Sequence, residues 1–448
     1  MRVCLISLGC DKNLCDSEVM LGLLKKADYE ITDDESLAEI IIVNSCSFIC
    51  DSMTESINEI IEAARYKTEG NCKALIVTGC LSERFKDEIK KELPEVDGML
   101  GTASFDRICE LIGKVLANDA KLPISIFDDH NKTVKGNYPR VLTGGGHYAY
   151  LKIAEGCNKR CTYCVIPSIR GSYRSVPMED ILDEARNLAD KGVTELILVA
   201  QETTLYGIDL YKEKSLSRLL RNLSDIPQIR WIRLLYCYPE EITDELIDTI
   251  ASLDKVVKYL DMPIQSASDN ILRKMGRLTN REELTKLIKK LREKIPGICL
   301  RTTLISGFPG ESDKDHRQTL DFVKEVEFDR LGVFTYSREE GTPAYDMDNQ
   351  VDASVAQARR DEIMSLQQEI SLKKGQAMIG KKIDAFVIGK MIDEDVYVGR
   401  SYKDAPDVDG YIFIDSDYEL ISGDIVEVKI TKASHYDLIG EVVDESCE

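Results

Sequence analysis

Glu155–Pro167 reads E-G-C-N-K-R-C-T-Y-C-V-I-P, and it places Cys157, Cys161 and Cys164 at C-x3-C-x2-C spacing. No fourth Cys or His follows closely. A zinc ribbon takes four ligands, usually in two pairs. A ferredoxin loop usually adds a fourth Cys for its own or a neighbouring cluster. Three thiolates on a 4Fe–4S cluster leave one iron open to a small molecule. The competing account is three buried or zinc-bound cysteines.

Around this loop, from Tyr148 onward, strand-like runs alternate with helical patterns. The runs are Tyr148–Ile153, Glu195–Ala200, Ile229–Tyr236, Lys258–Pro263, Ile298–Ile305 and Arg330–Tyr336. Met178–Asp190 and Asn280–Lys294 are two of the helices between them. Six β-α units predict a partial (β/α)6 barrel over residues 147–372, short of the eight in a closed one. Chemistry in such barrels sits at the carboxyl ends of strands. Gln201, Glu202 and Thr203 fall there, as do Tyr236, Gln265 and the turn Gly307–Glu311. Of these, Gln201, Glu202, Gln265, Gly307 and Glu311 are the candidate cofactor contacts. The turn's glycines are expected to let backbone approach a ligand. His130, His147, His316 and His435 form no metal or catalytic spacing and read as surface or loop residues.

Toward the N-terminus, three apolar runs, Val3–Leu8, Glu39–Val43 and Ala74–Thr78, read as buried strands of an open parallel α/β sheet over residues 1–118. Each is followed at once by a cysteine: Cys10, Cys46 and Cys80. A parallel sheet brings all three to one carboxyl edge, where such folds bind ligands. There they form a candidate second cluster site with its own open iron. Cys4, Cys15, Cys50, Cys72 and Cys109 read as small core residues.

Residues 119–146 read as an irregular linker, with Pro123, Pro139 and the run Gly144–Gly146. After the barrel, a helix following Asp352 shows Ile363, Leu366 and Ile370 on one face. Residues 376–446 then read as five short strands, a small barrel of the oligonucleotide-binding type. Residues 376–448 hold seven Lys and Arg against 17 Asp and Glu, a net charge of −10, which opposes phosphate binding. Asp404, Asp407, Asp409, Asp415, Asp417 and Glu419 are expected to form one acidic face for a basic partner.

The whole chain of 448 residues carries a formal charge of −21, which argues against a generic nucleic-acid binder and suits a basic partner. Fourteen cysteines, no signal-peptide pattern and no apolar run near the ~18 residues of a membrane span predict a cytoplasmic protein with reduced thiols.

The motifs S-L-G-C-D-K-N-L-C-D-S-E at 7–18, V-N-S-C-S-F-I at 43–49, V-T-G-C-L-S-E-R at 77–84 and E-L-P-E-V-D at 92–97 join the 157–164 loop in one resemblance. The chain is similar to the radical S-adenosylmethionine (SAM) methylthiotransferases, most closely the RimO branch that modifies a ribosomal protein. Asp11 stands where that family commonly has Pro, and Cys15 where it commonly has Val. The C-terminal barrel resembles the family's TRAM domain.

The resemblance implies two 4Fe–4S clusters and SAM. The one on Cys157, Cys161 and Cys164 cleaves SAM, and the resulting radical takes hydrogen from the β-carbon of an aspartate in the twelfth small-subunit ribosomal protein, free or on the ribosome. Sulfur comes from the cluster on Cys10, Cys46 and Cys80, and a second SAM supplies the methyl group. An electron donor protein and a sulfur source are implied partners. A membrane is not, nor is direct RNA binding by the C-terminal barrel. Two other readings stand beside this one: a tRNA adenosine methylthiotransferase, and a non-catalytic iron–sulfur sensor.

Overall fold

The computed structural model of the chain describes residues 1–117 and 123–443. The boundaries expected at 118, 119 and 446 lie outside the described residues. The N-terminal unit is a parallel sheet of β1 (Arg2–Ser7), β2 (Glu30–Ile31), β3 (Ile40–Ser45), β4 (Ala74–Gly79), β5 (Gly98–Leu100) and β6 (Ile124–Ile126), in the order β2-β1-β3-β4-β5-β6. β3 and β4 are buried along their whole length. Met20, Leu24, Leu111 and Ile112 cover one face, and Ile60, Ala63 and Ile89 the other. Burial on both faces explains why these strands are continuous apolar runs rather than alternating ones. β6 lies in the stretch read as linker. Its three residues are too few to show a period, and pairing with β5 makes it the edge strand.

The central unit contains β7 (Tyr148–Lys152), a short antiparallel pair of β8 (Ala154–Glu155) and β9 (Arg174–Ser175), then β10 (Glu195–Val199), β11 (Trp231–Leu234), β12 (Val256–Asp261), β13 (Cys299–Ser306) and β14 (Arg330–Thr335). The six longer strands pair in parallel in the order β14-β13-β12-β11-β10-β7, an open partial barrel. Its two free edges are covered. The Asp11–Lys26 helix lies against β7, where the Cys15 thiol donates to the Tyr150 carbonyl at 3.4 Å. The Ala353–Gln376 helix lies against β14, burying Ile363 and Ile370 as its pattern predicts.

The C-terminal unit closes β15 (Lys382–Lys390), β16 (Tyr397–Ser401), β17 (Ile412–Asp415), β18 (Ile425–Ala433) and β19 (Leu438–Val442) into a barrel. It caps the amino-terminal end of the central strands through buried charge. Glu195 takes Arg233 at 2.8 Å and lies against Arg400, with all three side chains no more than 1% exposed. Burial raises the Glu195 pKa, and the two guanidiniums outweigh that and leave it lowered. Asp404 pairs with Arg330, and Asp409 accepts from the Tyr259 hydroxyl at 2.7 Å and lies 3.5 Å from Arg301. This corrects the expected acidic face. Asp404 and Asp409 point into the interdomain seam, and only Asp407, Asp415, Asp417 and Glu419 are left exposed. Sequence adjacency could not separate the two groups, because the loop 402–409 turns inward.

Removing one member of a buried ion cluster leaves the others uncompensated. Glu195→Ala is therefore expected to cost about 3–5 kcal/mol, read by chemical denaturation. A loss below about 1 kcal/mol, the range of exposed pairs, would contradict this account of the seam.

Candidate functional site

The Cys157–Cys164 loop leaves the first barrel strand at its carboxyl end, as expected. It is pinned from several sides. Cys157 N–H donates to Gly171 O at 3.1 Å, and Thr162 N–H to Met275 O at 3.0 Å. The Thr162 hydroxyl donates to Lys274 O at 2.8 Å, and Asn158 Oδ1 accepts from Tyr173 N–H at 3.0 Å. The Cys161 thiol and the Tyr238 hydroxyl share a 3.0 Å hydrogen bond, and the Arg277 guanidinium stacks 4.0 Å over that ring. Burial pushes the Cys157 thiol up to about 11 and the Cys164 thiol to about 12. Metal binding would displace those protons, because thiolates are the ligands.

The strand-end candidates divide. Gln201 donates to Glu155 Oε1 at 2.7 Å, beside the loop, and its own Oε1 is buried without a partner. Glu202 is fully buried. One oxygen accepts from Thr204 N–H at 2.9 Å and the other has no partner. Burial raises its pKa to about 7. Gln265 sits at a left-handed φ of 70° and bridges β12 to β13, with its N–H on Thr303 O at 2.9 Å.

Gly307 and Glu311 have a different role from the one expected. A Cβ on Gly307 would lie 2.2 Å from Ala356 Cβ, so the glycine admits a helix and not a ligand. Glu311 takes Gly307 N–H at 2.8 Å and Arg359 at 2.9 Å, again docking that helix. His316 is buried against Glu362 at 2.7 Å rather than on the surface, and Cys50 is exposed rather than in the core.

The second triad converges as the sheet topology requires. Cys46 and Cys80 directly follow β3 and β4, and Cys10 caps the Asp11–Lys26 helix. The Cys10 loop presses on Cys46: a Cβ at Gly9, where φ is 86°, would lie 2.9 Å from Cys46 Sγ. Burial pushes the Cys80 thiol up to about 12, and Arg170 opposes this. Arg170 joins the two triads. Its Nη2 lies 3.8 Å from Cys80 Sγ and donates to Asn13 Oδ1 at 2.5 Å, while Nη1 reaches Asp16 at 2.8 Å and Glu155 at 3.2 Å. Val165 and Ile169, just past Cys164, pack on Cys80.

Sequence reasoning gave no role to Lys12, Asn13, Asp16 or Arg170. The available signal was that the first two turns of the helix following Cys10, Asp11–Glu18, carry polar residues around the axis, ahead of the apolar Val19–Leu24. A helix that is polar all round must be met by another element's charges if it is to be buried.

Among the described residues, no three His, Cys, Asp or Glu side chains are gathered closely enough to hold one metal ion. Cluster ligands need not be, because each thiolate binds a different iron of the cube. The donor set fits: two groups of three cysteines, with Cys46, Cys80, Cys157 and Cys161 buried, Cys164 half-buried and Cys10 exposed. The unpartnered oxygens of Gln201 and Glu202 beside the first group suit the ammonium of SAM.

The radical SAM superfamily profile matches residues 151–323, the TRAM domain profile 379–443, and a profile described as uncharacterized protein family UPF0004 matches 2–101. The central barrel with its cysteine loop is thus that of a radical SAM enzyme. Ribosomal protein uS12 methylthiotransferase RimO of Lachnoclostridium phytofermentans is 55% identical over 440 residues, covering 98% of this chain and 99% of its own. That of Acetivibrio thermocellus is 52% identical over 453 residues, covering 99% of each. This chain belongs to the RimO methylthiotransferase family, and is a transferase whose cofactors are 4Fe–4S clusters and SAM.

Two solved structures share the fold. The radical SAM methyltransferase TsrM from Kitasatospora setae, with tryptophan and a SAM analog, matches at TM-score 0.58 and 14% identity, covering 82% of this chain and 89% of its own. OxsB, a cobalamin-dependent SAM radical enzyme, matches at 0.54 and 13% identity, covering 83% and 56%. No helix among the described residues is long and apolar enough to cross a membrane.

Glu202 gives this site a pH signature. A carboxyl whose folded pKa is raised to about 7 stabilises the fold fully below its ordinary 4.5, and that stability is lost as pH rises through 7. The metal-free wild type should therefore lose roughly 3 kcal/mol relative to Glu202→Gln across that window. Parallel stability curves for the two proteins would show that Glu202 ionises normally.

Proposed function

We propose that this protein transfers a methylthio group to the β-carbon of an aspartate in ribosomal protein uS12. The observation that carries the reading is the meeting of two cysteine triads through the Ile166–Arg170 helix. Its substrate is taken from the names of relatives that match over almost their whole length.

In this reading Cys157, Cys161 and Cys164 hold one 4Fe–4S cluster with an iron open to SAM, and Cys10, Cys46 and Cys80 hold a second. When bound, these groups supply reductive cleavage of a SAM C–S bond and the sulfur to be transferred, with a second SAM as methyl source. Gln201 and Glu202 orient SAM through their free oxygens. With Cys161 as a thiolate, Tyr238 is the donor of their shared hydrogen bond, and Arg170 places a positive charge beside Cys80, so each site gains a fixed donor that needs no solvent. Val165 and Ile169 exclude water between the two loops, protecting a reactive intermediate from side reactions.

The enzyme works in the cytoplasm with an electron donor protein and a sulfur source. The acidic C-terminal barrel favours a basic protein over RNA, even with Asp404 and Asp409 turned inward. That charge and the uS12 relatives favour the protein substrate over a tRNA adenosine.

Anaerobic reconstitution should give about eight iron atoms per chain, from two four-iron clusters. Replacing Cys157, Cys161 and Cys164 together with Ala should halve the iron and abolish SAM cleavage. Replacing Cys10, Cys46 and Cys80 should also halve the iron, and full iron there would move the second site elsewhere.

The function itself is tested by mass spectrometry of uS12 before and after incubation with reconstituted enzyme, SAM and a strong reductant. One aspartate is expected to gain a mass matching SCH3 in place of H. An unchanged uS12 would remove the reading.

A further inference from the structure

The Asp11–Lys26 helix, which seals the gap beside β7, brings its first turn to the mouth of the barrel lumen. Lys12 and Asp11 have side chains only 7% exposed and lie 2.9 Å apart. The Lys12 ammonium sits 3.1 Å over the centre of the Tyr236 ring, and the Tyr236 hydroxyl donates to Asp11 Oδ1 at 3.2 Å. Tyr236 lies just past the carboxyl end of β11, in the left-handed region at φ 59°, held by its N–H on Asp261 Oδ2 at 3.0 Å. Asp11 Oδ2 is buried with no partner at all.

An ammonium at the lumen mouth, two residues from Cys10, is therefore neutralised by a carboxylate that satisfies only half of its own hydrogen bonds. Asp16 and Glu18, farther along the same helix, have full partner sets in Lys152, Arg170, Arg140 and Thr143. A buried carboxylate with a free oxygen costs stability, and holding it there needs a reason.

We propose that Lys12 binds the side-chain carboxylate of the substrate aspartate, and that Asp11 occupies the ammonium until substrate displaces it. The inference rests on the aspartate reading above. It adds the residue that selects a carboxylate. The Tyr236 face holds the ammonium in place while its carboxylate partner changes, since a ring face attracts the cation without competing for its N–H donors. The position of Lys12 beside Cys10 brings the bound side chain to the sulfur-bearing rim.

The test uses reconstituted holoenzyme with full-length uS12, and uS12 in which the aspartate located by mass spectrometry is replaced by Asn. Wild-type enzyme should bind the Asp form about 10- to 100-fold more tightly than the Asn form, the range for a hydrogen bond to a charged group. In Lys12→Met the two forms should bind within about twofold of each other, because the coupled partner is gone. Lys12→Arg should recover part of the discrimination. Asp11→Asn should tighten binding of the Asp form alone. SAM affinity and iron content are measured in parallel.

Full discrimination in Lys12→Met would overturn the proposal while leaving the aspartate reading intact. So would a Lys12→Met defect confined to SAM affinity. If Lys12→Met loses iron, Asp11→Asn decides: unchanged affinity for the Asp form overturns the proposal. Absence of any modified aspartate would remove the aspartate reading, and the proposal with it.

Discussion

One buried guanidinium holds this molecule's chemistry together. Arg170 is 2% exposed and is satisfied by Asp16, Glu155 and Asn13, with Cys80 beside it. Lys152 shares both carboxylates. Two cations and two anions thus sit together out of water, a group that is expensive to separate once formed. Its members come from the first helix, the first barrel strand, the short strand β8 after it and the short helix after Cys164. Each cysteine loop is therefore fixed relative to the other by charge, and apolar contact from Val165 and Ile169 fills the space between.

The same device recurs at the opposite end of the barrel. Glu195, Asp404 and Asp409 spend their charge on Arg233, Arg400, Arg330 and Arg301. A formal charge of −21 is thus a poor measure of what a partner meets, because part of it is neutralised in interdomain seams. The neighbouring exposed acids Asp407, Asp415 and Asp417 carry the long-range field.

Much of this architecture was legible in the residues. Continuous apolar runs marked the buried parallel strands, and the cysteine after each of three strands marked one edge of the sheet. The six barrel strands were recovered with ends shifted by no more than two residues, and the C-terminal unit holds the five strands expected. What escaped were features set by long-range contact. β6 is three residues long and exists because β5 is there to pair with it. Gly307 looked like a ligand-facing glycine because a turn at a strand end has the same composition whether a helix or a small molecule lies above it. Lys12 and Asp16 drew no reading because Tyr236, Lys152 and Arg170, which meet them in the fold, lie far along the chain. Gln201, by contrast, lies beside the cysteine loop as its position at the end of the second barrel strand suggested.

The sealing helix has a consequence for how the chain is made. Asp16 waits for Lys152 and Arg170, 136 and 154 residues downstream, and Glu18 waits for Arg140, 122 residues downstream. Domains generally fold in order as they leave the ribosome. The N-terminal sheet can form around its own apolar faces while the polar side of its first helix is still wet. That side is covered only when the barrel's opening strand and cysteine loop have emerged. Both cysteine rims therefore reach their final form at the same moment in biosynthesis, and on the proposed ligand assignment cluster assembly has one window in which to act on a nearly finished fold.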